Sequence, residues 1–159
     1  MPINPGNQDA QYYEAQYLGF RVDRATASLP QSTDDALFSV TGGRILLTAI
    51  VGEVTTVIET QANNTKLKFN PDAAGADQDL CAVLNITADP VGELYTIDGT
   101  VGNAMRSDLL IGLNSLQGAG GLILSEGDIE LDCAASNTGS VKWTVWYIPI
   151  DDGAAVASA

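Results

Sequence analysis

Residues 37–69 read LFSVTGGRILLTAIVGEVTTVIETQANNTKLKF, and this stretch decides the fold class. Apolar side chains alternate between the two sides of residues 45–51, and residues 54–60 are β-branched at nearly every position. Gly52-Glu53 and Asn63-Asn64 offer turns between these segments, because glycine and asparagine tolerate positive φ angles. The stretch therefore predicts a meander of antiparallel strands.

The rest of the chain continues this pattern. Apolar or alternating segments recur at a spacing of ~8–12 residues between turn-forming residues, which is typical of sandwiches and barrels. One of them, residues 80–88 (LCAVLNITA), is almost continuously apolar. We expect an all-β domain over residues 18–150, an antiparallel β-sandwich or β-barrel of about ten short strands. An extended N-terminal arm (residues 1–17) precedes it, and DDGAAVASA (residues 151–159) reads as a flexible C-terminal tail.

The composition limits the classes of partner. The chain has 159 residues, enough for one domain, with 20 acidic against 7 basic residues and a net charge of −13. Phosphate backbones and anionic lipid surfaces are bound through lysine and arginine, so we expect neither nucleic acid nor membrane as a partner. The N-terminus has no basic flank and no apolar core, so we expect no secretory signal and synthesis in a reducing cytoplasm.

The sequence shows no recognisable set of catalytic residues. Histidine is absent, which removes the commonest general base and the commonest zinc ligand. A serine nucleophile would lack its usual histidine partner, and no local signature selects a catalytic pair among the 20 acids. We therefore expect no enzymatic activity, no catalytic residue and no cofactor. Cys81 and Cys133 lie in apolar sequence contexts, and we expect them to be buried thiols. Their spacing also allows a disulfide between them.

Three carboxylates at alternating positions form the sharpest polar pattern. Asp128, Glu130 and Asp132 fall on one side of a predicted strand, with apolar residues on the other. Three oxygen donors in a row could help to hold Ca²⁺, but side chains at i and i+2 are roughly 7 Å apart, too far for direct shared ligation. Loop carbonyls or another chain would be needed, so the pattern favours a solvated strand face and no metal site.

The last predicted strand, residues 140–148, is apolar on both sides. Trp143 and Trp146 lie on opposite faces, and Ile148 shares the face of Trp146. One face should be core, and the other carries more apolar surface than a solvated face needs. That second face is covered either by the same chain or by a partner, and an aromatic platform such as Trp146 can also stack on sugars.

The N-terminal arm is polar but carries three tyrosines within six residues. Tyrosine offers a large contact area with a polar tip, so it is enriched at interfaces. We therefore interpret the arm as an attachment device that packs on a partner. The candidate interface residues of the whole chain are Tyr12, Tyr13, Tyr17, Trp143, Trp146 and Ile148.

Three segments resemble small virion structural proteins of tailed bacteriophages. They are FSVTGGRILLTAIVGEVTT, DLCAVLNITADPVGELYTIDGT and SNTGSVKWTVWYIPIDDGA, and the resemblance spans residues 36–154. It implies a capsid decoration (cement) protein, β-rich and often trimeric, that binds the major capsid protein on the outside of the virion. It carries no catalytic residues. A receptor- or glycan-binding virion protein, such as a fibre head, is the alternative.

Overall fold

The computed structural model describes residues 16–107 and 121–159. The strands are β1 (Phe20–Ser28), β2 (Asp34–Thr41), β3 (Ile45–Thr56), β4 (Asn64–Pro71), β5 (Gln78–Asp79), β6 (Leu84–Asn85), β7 (Leu94–Thr96), β8 (Arg106–Ser107), β9 (Leu122–Leu124), β10 (Gly127–Cys133), β11 (Ser140–Pro149) and β12 (Ala155–Ser158). The first sheet has the order β1-β11-β3-β7-β8, with β9 also paired to β3. The second has the order β12-β2-β10-β4-β5, with β6 also paired to β4. The prediction of an antiparallel all-β fold is confirmed.

One hydrophobic core lies between the two sheets. The first sheet contributes Ile50 and Trp143, and the second contributes Phe38, Leu67 and Ile129. All five side chains are almost completely buried. Along β3, β10 and β11, buried residues largely alternate with more exposed ones. Each of these strands therefore turns one side to the core and the other outward. The arrangement is consistent with a β-sandwich, in which the outer faces of the two sheets remain available for binding.

The predicted meander is wrong in its connections. Strands β2 and β4 belong to the second sheet, whereas β3, which lies between them in sequence, belongs to the first. The neighbours of β3 are β11, β7 and β9. Alternation shows that a strand buries one side, but it carries no information on which strand lies beside it. The sequence pattern therefore predicts the strands and not their order.

Gly52 lies inside a strand and not in a turn. Strand β3 runs without interruption past Gly52, which pairs with Trp143 of β11. A Cβ atom placed on Gly52 would lie 2.7 Å from Cζ3 of the Trp143 ring, closer than any normal contact. Glycine is required here because the indole occupies the space of a side chain, a known use of glycine within strands.

Asn63 also has a packing role in place of the predicted turn. Its side chain is fully buried. Its Nδ2 donates to the carbonyl oxygen of Ala135 at 3.2 Å, and the Ala135 amide donates to Oδ1 of Asn63 at 3.1 Å. This two-way contact fixes the connection between β3 and β4 to the residues that follow β10.

The apolar segment of residues 80–88 forms only the two-residue strand β6. Its backbone amides bond to separate parts of the fold: Leu80 to the carbonyl of Leu67 at 2.9 Å, and Ala82 to that of Asn103 at 2.7 Å. Such scattered bonds satisfy the backbone without a continuous ladder. The predicted long strand is therefore wrong.

The C-terminal residues belong to the sandwich, so the predicted flexible tail is wrong. Strand β12 pairs with β2 and buries Val156. Before it, Asp151 accepts hydrogen bonds from the backbone amide, Nε and Nη2 of Arg44, at 2.8, 2.8 and 2.7 Å. These bonds from Arg44 hold the pKa of Asp151 well below its usual value. The predicted arm, by contrast, falls almost entirely outside the described residues.

Candidate functional site

The outer face of the first sheet is polar at one end. Lys142 of β11 lies opposite Glu53 of β3 and forms an ion pair with it, Nζ to Oε2 at 2.9 Å. One step along the strand, the Thr144 hydroxyl donates to Oδ1 of Asp23 at 2.7 Å. Charged and hydroxyl side chains therefore cover this end in pairs, as expected of a solvated sheet face.

The other end of the same face is apolar. Ile148 of β11 lies opposite Leu46 of β3, and Leu46 lies opposite Ile123 of β9. Ile123 is 68% exposed and Ile148 is 38% exposed, whereas Leu46 and Trp146 are partly exposed. We call Leu46, Ile123, Trp146 and Ile148 the apolar patch. Contiguous exposed apolar residues of this kind mark interaction surfaces.

Arg21 borders the apolar patch. Its guanidinium carbon lies 5.7 Å from the centre of the Trp146 ring, within the range of a cation–π contact. The Arg21 Nε also pairs with Oδ1 of Asp23 at 3.0 Å. Arginine and tryptophan are the residue types that most often dominate binding interfaces. The patch therefore combines an apolar centre with a charged margin.

The segment before β1 lies against the apolar patch. The Thr48 hydroxyl donates to the carbonyl of Leu18 at 2.5 Å. Gly19 has a φ of 90°, and a Cβ there would lie 2.8 Å from Cγ1 of Ile148. The glycine thus lets the backbone lie flat on β11. Leu18 and Gly19, immediately before β1, therefore lie on this face beside the patch.

The structure places the predicted interface residues in three different settings. Trp146 and Ile148 lie in the apolar patch, and Tyr17, just before Leu18, is 79% exposed. Trp143 is a core residue, 2% exposed and stacked on Tyr95 with ring centres 6.4 Å apart, so its nomination as an interface residue is wrong. Tyr12 and Tyr13 lie outside the described residues. Leu46 and Ile123 were missed because only the pairing of β9, β3 and β11 brings them together.

The outer face of the second sheet carries the three alternating carboxylates. Asp128, Glu130 and Asp132 share this face as predicted, and the residues between them are buried. They lie opposite Asn70, Lys68 and Lys66 of β4 respectively. Glu130, however, is only 8% exposed, so the expected solvated face is wrong at its centre. Burial raises the pKa of Glu130 above its usual value.

Lys68 is the centre of an ion-pair network on this face. Its Nζ lies 2.6 Å from Oδ2 of Asp34 and 2.7 Å from Oδ2 of Asp77. These bonds raise the pKa of Lys68 well above its usual range, and the Lys68 bond lowers that of Asp34. One carboxylate oxygen from each of Asp34, Asp77 and Glu130 lies within 4.8 Å of the others. We call these three residues the acidic cluster.

Two more acids, Asp89 and Glu93, are buried near β7. Asp89 is 5% exposed and Glu93 is fully buried. Oδ2 of Asp89 accepts a hydrogen bond from the Tyr95 hydroxyl at 2.5 Å, and Oε1 of Glu93 accepts one from the Ser107 hydroxyl at 2.5 Å. Burial raises the pKa of Asp89. Both carboxyls are out of reach of a solute in this conformation, so they form a structural network and not an open site.

Replacing Asp89 with asparagine is expected to change how stability depends on pH. Burial raises the pKa of Asp89 in the folded state. Its contribution to the free energy of unfolding is therefore fully present below the pKa of the unfolded state and is lost as pH rises through the pKa of the folded state. Asp89→Asn removes this loss and leaves an acceptor for Tyr95. Urea unfolding between about pH 4 and pH 7 should therefore show the variant gaining stability relative to the wild type as pH rises.

The matched control for this experiment is Tyr95→Phe. It removes the donor to the Asp89 carboxylate, so the loss of stability with rising pH should become steeper than in the wild type. A stability difference between Asp89→Asn and wild type that does not vary with pH would contradict the assignment.

Both cysteines are buried free thiols, as predicted. The sulfur of Cys133 lies 3.7 Å from the Thr65 hydroxyl, and the sulfur of Cys81 accepts a bond from the Leu67 amide at 3.3 Å. Burial raises the pKa of Cys133 to about 11 and also raises that of Cys81. Thiolates are the reactive form, so both residues are inert packing elements in the folded protein.

Comparisons with known proteins give no relative from which a function could be carried over. No protein-family model, no curated protein sequence and no solved structure matches the chain. In the part of the chain that the structure describes, no helix is long and apolar enough to cross a membrane.

Proposed function

We propose that the protein is a non-enzymatic virion structural component that binds the outside of a bacteriophage capsid and stabilises it. The resemblance of residues 36–154 to small virion proteins supports this function. The observation that carries it is the apolar patch, an exposed hydrophobic surface on a chain with a net charge of −13. A surface of this kind serves adhesion, and the partner we propose is the major capsid protein.

The patch alone is too small for a lasting attachment. A stable interface buries about 800 Å² on each partner, which is more than four partly exposed side chains supply. We propose that the N-terminal arm provides further contact surface, because it is followed directly by Leu18, whose carbonyl is bonded to Thr48 on the face that carries the patch. Patch and arm together therefore form the attachment surface that we propose.

We also propose that the protein is a homotrimer on its target. Decoration proteins of this kind are often trimeric. A trimer places three weak contacts on one particle at once, which raises the overall avidity. The apolar patch is the surface that a neighbouring subunit or the capsid would cover. Its exposure in the single chain supports this assignment.

Deleting residues 1–17 is expected to reduce capsid binding while leaving the sandwich folded. Among the described residues, the buried core cluster runs from Leu29 to Val156, outside the segment to be deleted. Co-sedimentation with capsids assembled from the major capsid protein of the same genome measures the binding, and thermal melting measures the fold. A truncated protein that binds as the full chain does would refute the role of the arm. A truncated protein that unfolds would show that the arm is part of the folded core.

Trp146 supports one alternative function, the binding of a glycan or receptor. Its indole is partly exposed at the sheet surface, where aromatic rings can stack on sugars, and Arg21 lies over the ring. Screening the protein against a glycan array tests this alternative. Binding that is lost in Trp146→Ala, together with no affinity for capsids, would favour it over capsid decoration.

A further inference from the structure

The acidic cluster brings three elements of the fold to one point. Asp34 begins β2, Asp77 ends the loop between β4 and β5, and Glu130 is central in β10. One carboxylate oxygen from each residue lies within 4.8 Å of the other two. Two oxygens that ligate one calcium ion at 2.3–2.6 Å each are separated by at most about 5 Å. The separation is therefore compatible with a shared ion.

Glu130 supplies a second and independent observation. The residue is 8% exposed, and its Oε1 accepts a hydrogen bond from Nδ2 of Asn70 at 3.1 Å. Its Oε2 is buried and has no hydrogen-bond partner within residues 16–107 and 121–159. A buried charged oxygen without a donor is unfavourable, and such groups in folded proteins are paired or coordinate metals. This oxygen belongs to the side chain that completes the acidic cluster.

The charges of the cluster are only partly balanced. Lys68 bonds to Asp34 and Asp77, and no ion pair between Lys68 and Glu130 is formed within the described ranges. With three ionised carboxylates and one ammonium group, two negative charges remain in a small volume. Lys68 shows that the cluster accepts a cation, and its flexible stem allows its head group to move toward solvent.

We propose that the acidic cluster of Asp34, Asp77 and Glu130 binds a divalent cation of the calcium type in exchange for the ammonium group of Lys68. All three ligands are carboxylate oxygens, which hard cations prefer, and the donor set contains no sulfur or imidazole that would select zinc. Calcium tolerates irregular geometry and takes water for its remaining ligands, whereas magnesium demands a near-ideal octahedron. The bound ion would tie the loop before β5 to β2 and β10.

Isothermal titration of the EDTA-treated full chain with CaCl₂ at constant ionic strength tests the proposal. The wild type should give a saturable one-site isotherm and a higher melting temperature with Ca²⁺ than with NaCl alone. Glu130→Gln, which keeps the size of the side chain, should weaken Ca²⁺ binding by about tenfold or more. Lys68→Gln removes the competing cation and should strengthen binding by a similar factor.

The matched control is Asp128→Asn, which lies on the same strand and face but outside the acidic cluster. It should bind Ca²⁺ as the wild type does. The proposal is overturned if the wild type gives no saturable isotherm, even if Lys68→Gln gives one, because Lys68 would then hold the cluster permanently. It is also overturned if Glu130→Gln and Asp128→Asn affect binding equally.

Discussion

Replacing Trp143 with alanine is expected to lower the free energy of unfolding by about 3–5 kcal/mol, the usual loss for a large aromatic side chain removed from a core. Its indole is 2% exposed, stacks on Tyr95 and fills the space above Gly52. Removing it leaves a cavity in the core over Gly52 and beside Tyr95, which the surrounding side chains can close only in part. Urea unfolding at neutral pH measures this loss.

The control for Trp143→Ala is Trp146→Ala on the same strand. Trp146 faces outward and is partly exposed, so its truncation should cost clearly less. Gly52→Val provides a second check, because its side chain would collide with the Trp143 ring and should also destabilise the fold. Equal losses for the two tryptophans would contradict the assignment of Trp143 to the core and Trp146 to the surface.

Replacing Ile123 with aspartate is expected to weaken association through the patch, with the capsid or with a neighbouring subunit, by about 30-fold or more, the effect of losing about 2 kcal/mol at an interface hot spot. Ile123 is the most exposed residue of the apolar patch, and a carboxylate there would have to be desolvated in any interface. Sedimentation equilibrium at micromolar concentrations, with and without capsids, measures the association. The fold should persist, because the side chain makes little contact with the core.

The control for Ile123→Asp is Val83→Asp. Val83 is also exposed and apolar, at 49%, but it lies in the segment beside the second sheet. The same charge placed there should leave association unchanged. A wild-type protein that stays monomeric in solution and on the capsid, or two variants that associate equally well, would refute the role of the patch.

The sequence pattern predicted the strands better than it predicted their neighbours. Alternation identified β2, β4, β10 and β11, because each of these strands buries one side. It failed at Gly52, where the reason for glycine is a tryptophan 91 positions later in the chain. It failed again at residues 151–159, whose small residues gave no strand signal although the edge of β2 was free to pair with them.

The same limit applies to the candidate sites. Trp146 and Ile148 follow from alternation on one strand, but Ile123 joins them only through the pairing of β9 with β3. Likewise, Glu130 reads as a solvated residue in its own strand. Glu130 is buried because β10 lies between β2 and β4. The same strand order places Asp34 and Lys68 next to it. Sites built by strand order become visible only when that order is known.

Imaging the virus particle with and without this protein tests the proposed function most directly. Cryo-electron microscopy of particles from a strain that lacks the gene, compared with particles to which the purified chain is added back, would show where the protein sits. We expect added density on the outer capsid surface, arranged as trimers with the apolar patch turned toward a neighbouring subunit or the capsid, and lower heat stability of particles without it. Unchanged capsid density and stability would contradict the account.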